Sequence, residues 1–482
     1  MTTAALSIRQ KTSICRLHCR KLNIDVNLPS LSEITSQSPY ATILGGNDSK
    51  EDAEGFSYWM AQPVETFEFC AGHKEPFKKL QAALKKYTLT NDTSGNLPKG
   101  IFTGGWAGFF SYDIGRYIEP TAYSCDHIPD DDLSAPMIRL CFYDRLIAYD
   151  HRRNSFWLIA LELANDAETP QQKLSFLEDL IDAARTTQSP ALTPADIENT
   201  DFSRIRPNMT QDYYFRAFEK IKRHIYDGDV YQINFSQRFD CAYHARPIDL
   251  FHWQNRYNPS PYSAYIDAGN FQIVSASPEM FITVNGRIIS TKPIKGTRKR
   301  IENTSEDARQ INDENLEQLL NSEKEKAELN MIVDLERNDV ARICKPGTRK
   351  VVQPRTIEMY PSVFHAVATV AGELRDDVTF CDILKAMFPG GSITGAPKIR
   401  AMQIINEIEP TARGVYTGSV GYIGLDGIAC LNIAIRTIII KNKSACVQTG
   451  GGIVADSDPH AEYNETLIKA RALLAGIAAV NR

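Results

Sequence analysis

An α+β fold is the class this sequence predicts, and three observations carry the prediction. Strand-like runs follow one another without an intervening helix at several points, which a strict βαβ winding does not permit. Stretches of helical periodicity stand between these runs without alternating with them one for one. The composition, 43% hydrophobic and 23% charged over 482 residues, is that of a chain folding around a large apolar interior. At roughly 150 residues per domain, the length allows two or three units, or one large body with an appendage.

Lys and Arg number 54 against 59 Asp and Glu, a net charge of −5, so no overall basic field exists to hold nucleic acid or an anionic membrane. No apolar run reaches the ~18 residues that a bilayer-spanning helix needs. The ten cysteines stand singly, without a C-x-x-C pair, and Cys15, His18 and Cys19 lack the fourth ligand of a structural zinc site. That usage fits a reduced, cytoplasmic protein.

Along the chain, the start is basic, with Arg9, Lys11, Arg16, Arg20 and Lys21 and no acid before Asp25, as in an organelle leader. The alternation of KLNIDVNL that follows Arg20 reads instead as a strand, and favours an ordinary N-terminus. Ile138–Tyr149 and Ser155–Leu163 are strand-like, and Asp130–Asp132 is a solvated turn. The polar, Pro-punctuated stretch 186–208 reads as a linker between a first region, 1–185, and a second, 209–482. In the second region Thr210 caps a helix carrying Phe215, Phe218, Ile221 and Ile225 at helical spacing, and Gly228 stops it before a strand at 231–239. One long helix is predicted over Glu306–Ile343, another from Pro397 and a last from near Pro459, with strands at 418–424, 431–440 and 445–449.

Four segments have residues that could do chemistry. In FPGGSITGAPKIRAM (388–402) a Gly-rich turn leads into a helix at Pro397, and Gly395 is not followed by the Lys of a nucleotide-binding loop. With Thr394 and Lys398 it describes a carboxylate seat at a helix N-terminus, or a helix start with no ligand. Glu325 with Glu328, and Glu462 with Glu465, are pairs three apart that share a helix face, with Lys469 a turn beyond the second pair. Such pairs are either solvated helix surface or, two helices together, a seat for one Mg²⁺ completed by water and substrate oxygens. Glu279 opens one strand-like run and Lys295 closes the next; Lys295 is a surface charge or a nucleophile. Gly450, Gly451 and Gly452 follow a strand and allow either a close ligand approach or a flexible turn.

Together, DLERND (334–339), FPGGSITGAPK (388–398), GSVGYIG (418–424), AIRT (434–437) and GGGIVADSDPHAEYNET (450–466) resemble the chorismate-utilising enzyme family. FTGGWAGFFSYDIGRYIE (102–119) extends the resemblance upstream, to the anthranilate and aminodeoxychorismate branches. The resemblance implies a single large fold, two stacked antiparallel sheets flanked by helices. Gln232 stands where the isochorismate and salicylate branches carry a lysine base, and PIKGT (293–297) is similar to the aminodeoxychorismate branch, in which that lysine is the nucleophile.

On that resemblance, Lys295 adds at ring carbon 2, Glu279 protonates the departing 4-hydroxyl, and His365 assists at the ring. Mg²⁺ is implied on Glu328 and Glu465, with Glu325 and Glu462 reaching it through water. Arg436, Tyr416, the backbone of Gly450 and Gly452, and Lys469 match residues that hold the substrate carboxylates, and Thr297 and Thr394 line the same pocket. The implied partners are chorismate and ammonia, delivered by a separate glutamine amidotransferase subunit, because no cysteine here sits in a G-x-C-x-G elbow. The competing expectations are the anthranilate branch, with Lys295 incidental, and a non-catalytic ligand-binding regulatory subunit.

Overall fold

A computed structural model describes residues 12–46, 55–90, 97–123, 127–203, 205–301, 305–360 and 363–481. Two sheets, one antiparallel throughout and one nearly so, with helices packed on them form the α+β architecture. Along the larger sheet lie Arg206–Pro207, Gln232–Ala242, Ser444–Ile453, Thr437–Lys441, Phe271–Ser277 and Tyr262–Asp267, then Thr42–Leu44, Phe56–Met60, Arg145–Asp150, Ser155–Leu163, Ser13–Leu22 and Tyr87–Leu89. Gly395–Ala396 pairs with Gln232–Ala242 as its thirteenth strand. The smaller sheet runs Ile294–Lys299, Val363–Glu373, Ile288–Lys292, Met280–Asn285, Ala429–Asn432, Ser419–Gly424, Gly105–Phe110, Ile138–Tyr143 and Glu65–Phe69. Lys350–Met359 joins it on Val363–Glu373. Pairing is antiparallel except between Ser13–Leu22 and Tyr87–Leu89.

The sheets stack because each presents an apolar face to the other. Tyr58, Leu146, Trp157 and Ile159 of the larger sheet share one buried cluster with Trp106, Leu140, Phe142 and Leu431 of the smaller. Tyr58 and Tyr422 meet across the gap with ring centroids 5.4 Å apart. Helices Leu28–Ser36, Pro170–Thr186, Pro247–Tyr257 and Pro459–Val480 cover the outer face of the larger sheet. Both sheets take strands from either side of 186–208, and that stretch lies against the body: Trp253 Nε1 donates to Thr193 O at 3.0 Å. No helix among the described residues is long and apolar enough to cross a membrane.

Several boundaries differ from the sequence expectations for identifiable reasons. The strand expected from KLNIDVNL lies upstream, at Ser13–Leu22, and Leu28 already begins a helix capped by Asn27. Arg9 and Lys11 lie outside the described residues. The continuous run 138–149 is two strands in different sheets, divided at buried Asp144. The long helix expected from Glu306 is two, Glu306–Asn321 and Glu323–Ala341, because Ser322 turns extended and accepts a hydrogen bond from Glu325 N. Lys295 belongs to a third strand after Pro293 and does not end the second. Thr210 caps its helix as expected, Oγ1 accepting from Tyr213 N at 3.1 Å.

Candidate active site

The functional side chains gather where Gln232–Ala242 and Ser444–Ile453 of the larger sheet approach Ile294–Lys299 and Val363–Glu373 of the smaller, with two helices closing the space. Helix Glu323–Ala341 brings Glu325 and Glu328. Glu325 Oε1 accepts from Arg298 Nη1 at 2.7 Å, whereas its Oε2 is buried with no partner among the described residues. The helix comes this close because residue 296 is Gly: at φ +94° a Cβ there would meet Leu319 at 2.8 Å and Glu325 Oε2 at 2.9 Å. From helix Pro459–Val480 come Glu462, which accepts from Ser457 Oγ at 2.6 Å, and Glu465, 2.7 Å from Lys469.

Lys469 Nζ also donates to Gly450 O at 2.9 Å. Gly450, Gly451 and Gly452 lie within strand Ser444–Ile453, not in a turn. Their missing side chains make room for neighbours: a Cβ at Gly451 would meet Glu462 Oε2 at 3.1 Å, and one at Gly452 would meet Gln232 Nε2 at 2.8 Å. Gln232 is fully buried, and among the described residues both polar atoms of its amide lack a partner.

Electrostatically the four carboxylates form one set. Burial, then the neighbouring Glu465 and Glu325, push Glu328 up, against Lys295 and Lys324. Burial also raises Glu462. Burial would raise Glu465 as well, but Lys469, Lys295 and Lys324 bring it below the usual carboxylate range. Among the described residues no three His, Cys, Asp or Glu side chains converge closely enough to enclose an ion. Mg²⁺ does not require that, since it keeps several waters and binds through one or two carboxylates plus substrate oxygens. The unpartnered Glu325 Oε2 beside mutually repelling Glu328 and Glu465 is a donor set that fits such a hydrated dication.

Across from the carboxylates, Lys295 Nζ donates to Ser392 O at 3.5 Å, and its charge acts on Glu279, Glu328 and Glu465. Glu279 is 5% exposed at the head of Met280–Asn285; burial raises it, opposed by Ser392, Lys295 and Lys469. His365 is buried, its Nδ1 2.8 Å from Thr297 Oγ1. Burial first, and the Arg436 charge second, lower it to about 3, so its ring is neutral at pH 7. Arg436 sits at φ +48° between two strands, and its guanidinium has no protein acceptor among the described residues; burial lowers its pKa. Tyr416 is buried nearby, raised chiefly by burial.

The structure corrects the carboxylate seat expected at 388–402. Thr394 Oγ1 donates to Gly390 O at 3.0 Å and to Gly391 O at 3.3 Å, and Lys398 Nζ is held by Asp339 Oδ2 at 2.5 Å and Met387 O at 3.0 Å. Gly395 serves strand pairing: a Cβ there would lie 2.1 Å from Gln232 O. So Thr394 is in place, but its hydroxyl is turned onto its own turn. Ser392, Asn234 and Arg298 were not singled out from the sequence. Alternation along Gln232–Ala242 places Asn234 on the same face as Gln232, a signal that was available; for Ser392 and Arg298 spacing offers none.

A lysine–carboxylate cluster, an arginine unpaired among the described residues and two stacked sheets define an enzyme site for a small anionic substrate. Residues 47–475 match the family model of the chorismate binding enzymes, and the chain belongs to that family. Its relatives include aminodeoxychorismate synthase component 1 of Bacillus subtilis (strain 168), 41% identical over 386 residues, covering 80% of this chain and 79% of that one. Anthranilate synthase component 1 of Aquifex aeolicus (strain VF5) is 37% identical over 406 residues, covering 84% and 79%. The crystal structure of anthranilate synthase component I from Streptococcus pneumoniae superposes with a TM-score of 0.72 at 31% identity, covering 87% of this chain and 92% of that one. The chain is therefore a chorismate-utilising enzyme.

Proposed function

We propose that this enzyme replaces the 4-hydroxyl of chorismate by an amino group, with ammonia delivered by a separate glutamine amidotransferase subunit, giving 4-amino-4-deoxychorismate for p-aminobenzoate and folate synthesis. The observation that carries the reading is Lys295 itself: a lysine within PIKGT, flanked by buried Glu279 and facing Glu328 and Glu465. The Bacillus subtilis relative of that activity supports it. Lys295 Nζ, as the free amine, adds at ring carbon 2, while Glu279 gives a proton to the departing hydroxyl. Ammonia then adds at carbon 4 and the lysine leaves as an amine.

Arg436, unpaired among the described residues, takes a substrate carboxylate, for which a planar guanidinium offers two parallel N–H donors. Tyr416, Lys469 and the backbone of Gly450 and Gly452 line the same anionic pocket, with Thr297 holding neutral His365 toward the ring. Glu328 and Glu465, with Glu325 and Glu462 behind water, would hold Mg²⁺, which when bound supplies Lewis-acid polarisation of the ring carboxylate.

Chorismate, Mg²⁺ and ammonium are incubated with the purified chain, and the products are separated by chromatography. 4-Amino-4-deoxychorismate is expected. Anthranilate fluorescence without any added lyase would overturn the reading in favour of the anthranilate branch. Lys295→Ala should lower turnover on the order of 10⁴-fold or more and remove any ring adduct seen by intact mass. An adduct persisting in that variant excludes Lys295 as the attacking group.

A further inference from the structure

Glu336, in the DLERND segment, has no part in the chemistry above, yet it is 5% exposed inside helix Glu323–Ala341. Its one hydrogen bond is donated by Thr291 Oγ1 to Oε2 at 3.0 Å. No cation neutralises it among the described residues. Lys398, on the neighbouring helix, is held by Asp339, which is itself buried, adds a like charge and feels Arg342. Lys292, next to Thr291 on its strand, is paired with Glu358, and Arg337 turns outward to Asp334 at 3.0 Å. Met280 pairs with Lys292, which puts Glu279 and Thr291 on neighbouring strands, and after burial the strongest influence on Glu336 is the Glu279 carboxylate. Glu279 has no ion pair among the described residues either; Lys295 and Lys469 act on it only through space. Two neighbouring buried carboxyls without an ion pair cannot both ionise cheaply.

We propose that Glu279 and Glu336 retain one proton between them through neutral pH, with Glu336 as the positioning residue that keeps that proton available to Glu279. The proposal deepens the reading above and rests on Glu279 being the acid for the leaving hydroxyl. Burial, the Glu279 charge and Asp339 push Glu336 up to about 8, so the last proton leaves the pair only above neutral pH. At rest the proton is on Glu336; in the reactive protonation state it is on Glu279, and the Thr291 hydroxyl stabilises the Glu336 carboxylate. As the bond from carbon 4 to oxygen breaks, the proton departs with the hydroxyl as water, and the Lys295 nitrogen becomes a cationic secondary ammonium. When ammonia adds at carbon 4, its surplus proton returns to the pair and the carbon–nitrogen bond to Lys295 breaks with its electrons on nitrogen. Chorismate plus ammonia thus gives the amino product plus water.

The test is the pH profile of kcat/KM for chorismate in wild type, Glu336→Gln and Thr291→Val, read as the variant-to-wild-type ratio at each pH so that changes in free ammonia cancel. In Glu336→Gln the basic limb should move to lower pH, so the ratio falls at least about tenfold between pH 6 and 8. In Thr291→Val, where ionised Glu336 loses its donor, the limb should move the opposite way. A ratio independent of pH in both variants, as a purely structural role gives, overturns the proposal. Should Glu336→Gln not fold, Thr291→Val and infrared spectra decide. Wild type should show a protonated-carboxyl band at pH 7 that titrates near pH 8 and at higher pH in Thr291→Val; no such band, or one unmoved, overturns it. Product chromatography in the same reactions separates the two failures: anthranilate with a shifted limb defeats the Lys295 reading alone, and the amino product with a flat ratio defeats the pair alone.

Discussion

In the outer layer near the N-terminal region, Lys173 is fully buried but lies 2.5 Å from Asp144, bonds Asp166 and donates to Leu161 O at 2.7 Å. Arg145 beside it joins Asp144 at 3.0 Å and Glu168. At the site, by contrast, buried Glu279 and Glu336 and part-buried Arg436 have no ion-pair partner among the described residues, and Glu328 has only Lys324 at 4.0 Å. Burying a charge is costly unless it is paired and hydrogen-bonded. The first cluster meets that condition within the chain and is therefore scaffold. The second leaves it unmet within the described chain, and so marks a functional site.

The comparison can be broken at four points. Glu279→Gln keeps the shape but removes the proton, and should lower kcat by about 10²- to 10⁴-fold with folding intact; steady-state rates with circular dichroism check it. Lys173→Met leaves Asp166 without its cation and Asp144 with Arg145 alone, and should cost about 3–5 kcal/mol in denaturant titration with the per-molecule rate unaltered. A smaller, pH-dependent effect concerns Glu33, which His252 at 3.4 Å and Arg246 at 2.6 Å hold down to about 2 from an ordinary 4.5. Because the folded value is depressed, this stabilisation is complete above about pH 4.5 and is lost as pH falls toward 2. Melting temperatures between pH 6 and 3 should therefore drop more steeply in wild type than in Glu33→Gln. Smallest of all, Lys299 and Glu198 pair at 2.6 Å with side chains 67% and 73% exposed, so Lys299→Ala should cost less than about 1 kcal/mol.

Much of the site was legible before any coordinates, because helix-start chemistry and glycine placement are local. Thr210 and Pro459 mark helix starts where the pattern places them, and Glu325, Glu328, Glu462 and Glu465 come onto facing helices from their spacing. The break at Ser322 was hidden because helical periodicity continues on both sides of it. The sheet switch at Asp144 was hidden because apolar residues run through it. The glycines of 388–402 and 450–452 left a ligand loop and a plain turn equally open, since a sequence does not distinguish a backbone that approaches a ligand from one that approaches another strand. Glu336 looked like any charged residue on an amphipathic helix.

What the sequence determined alone is the repertoire: an α+β chain, its helix caps, and a lysine, a glutamate and two carboxylate pairs in motif order. The caps and the pairs follow from hydrogen bonding and side-chain periodicity within a few residues of each other. Only the tertiary structure decided which charges go unpaired, because a carboxylate's neighbours and its access to water are set by segments far apart in the chain. Lys398 and Lys295 are both lysines within glycine-containing motifs; Asp339 neutralises the first, and the second is left facing Glu279.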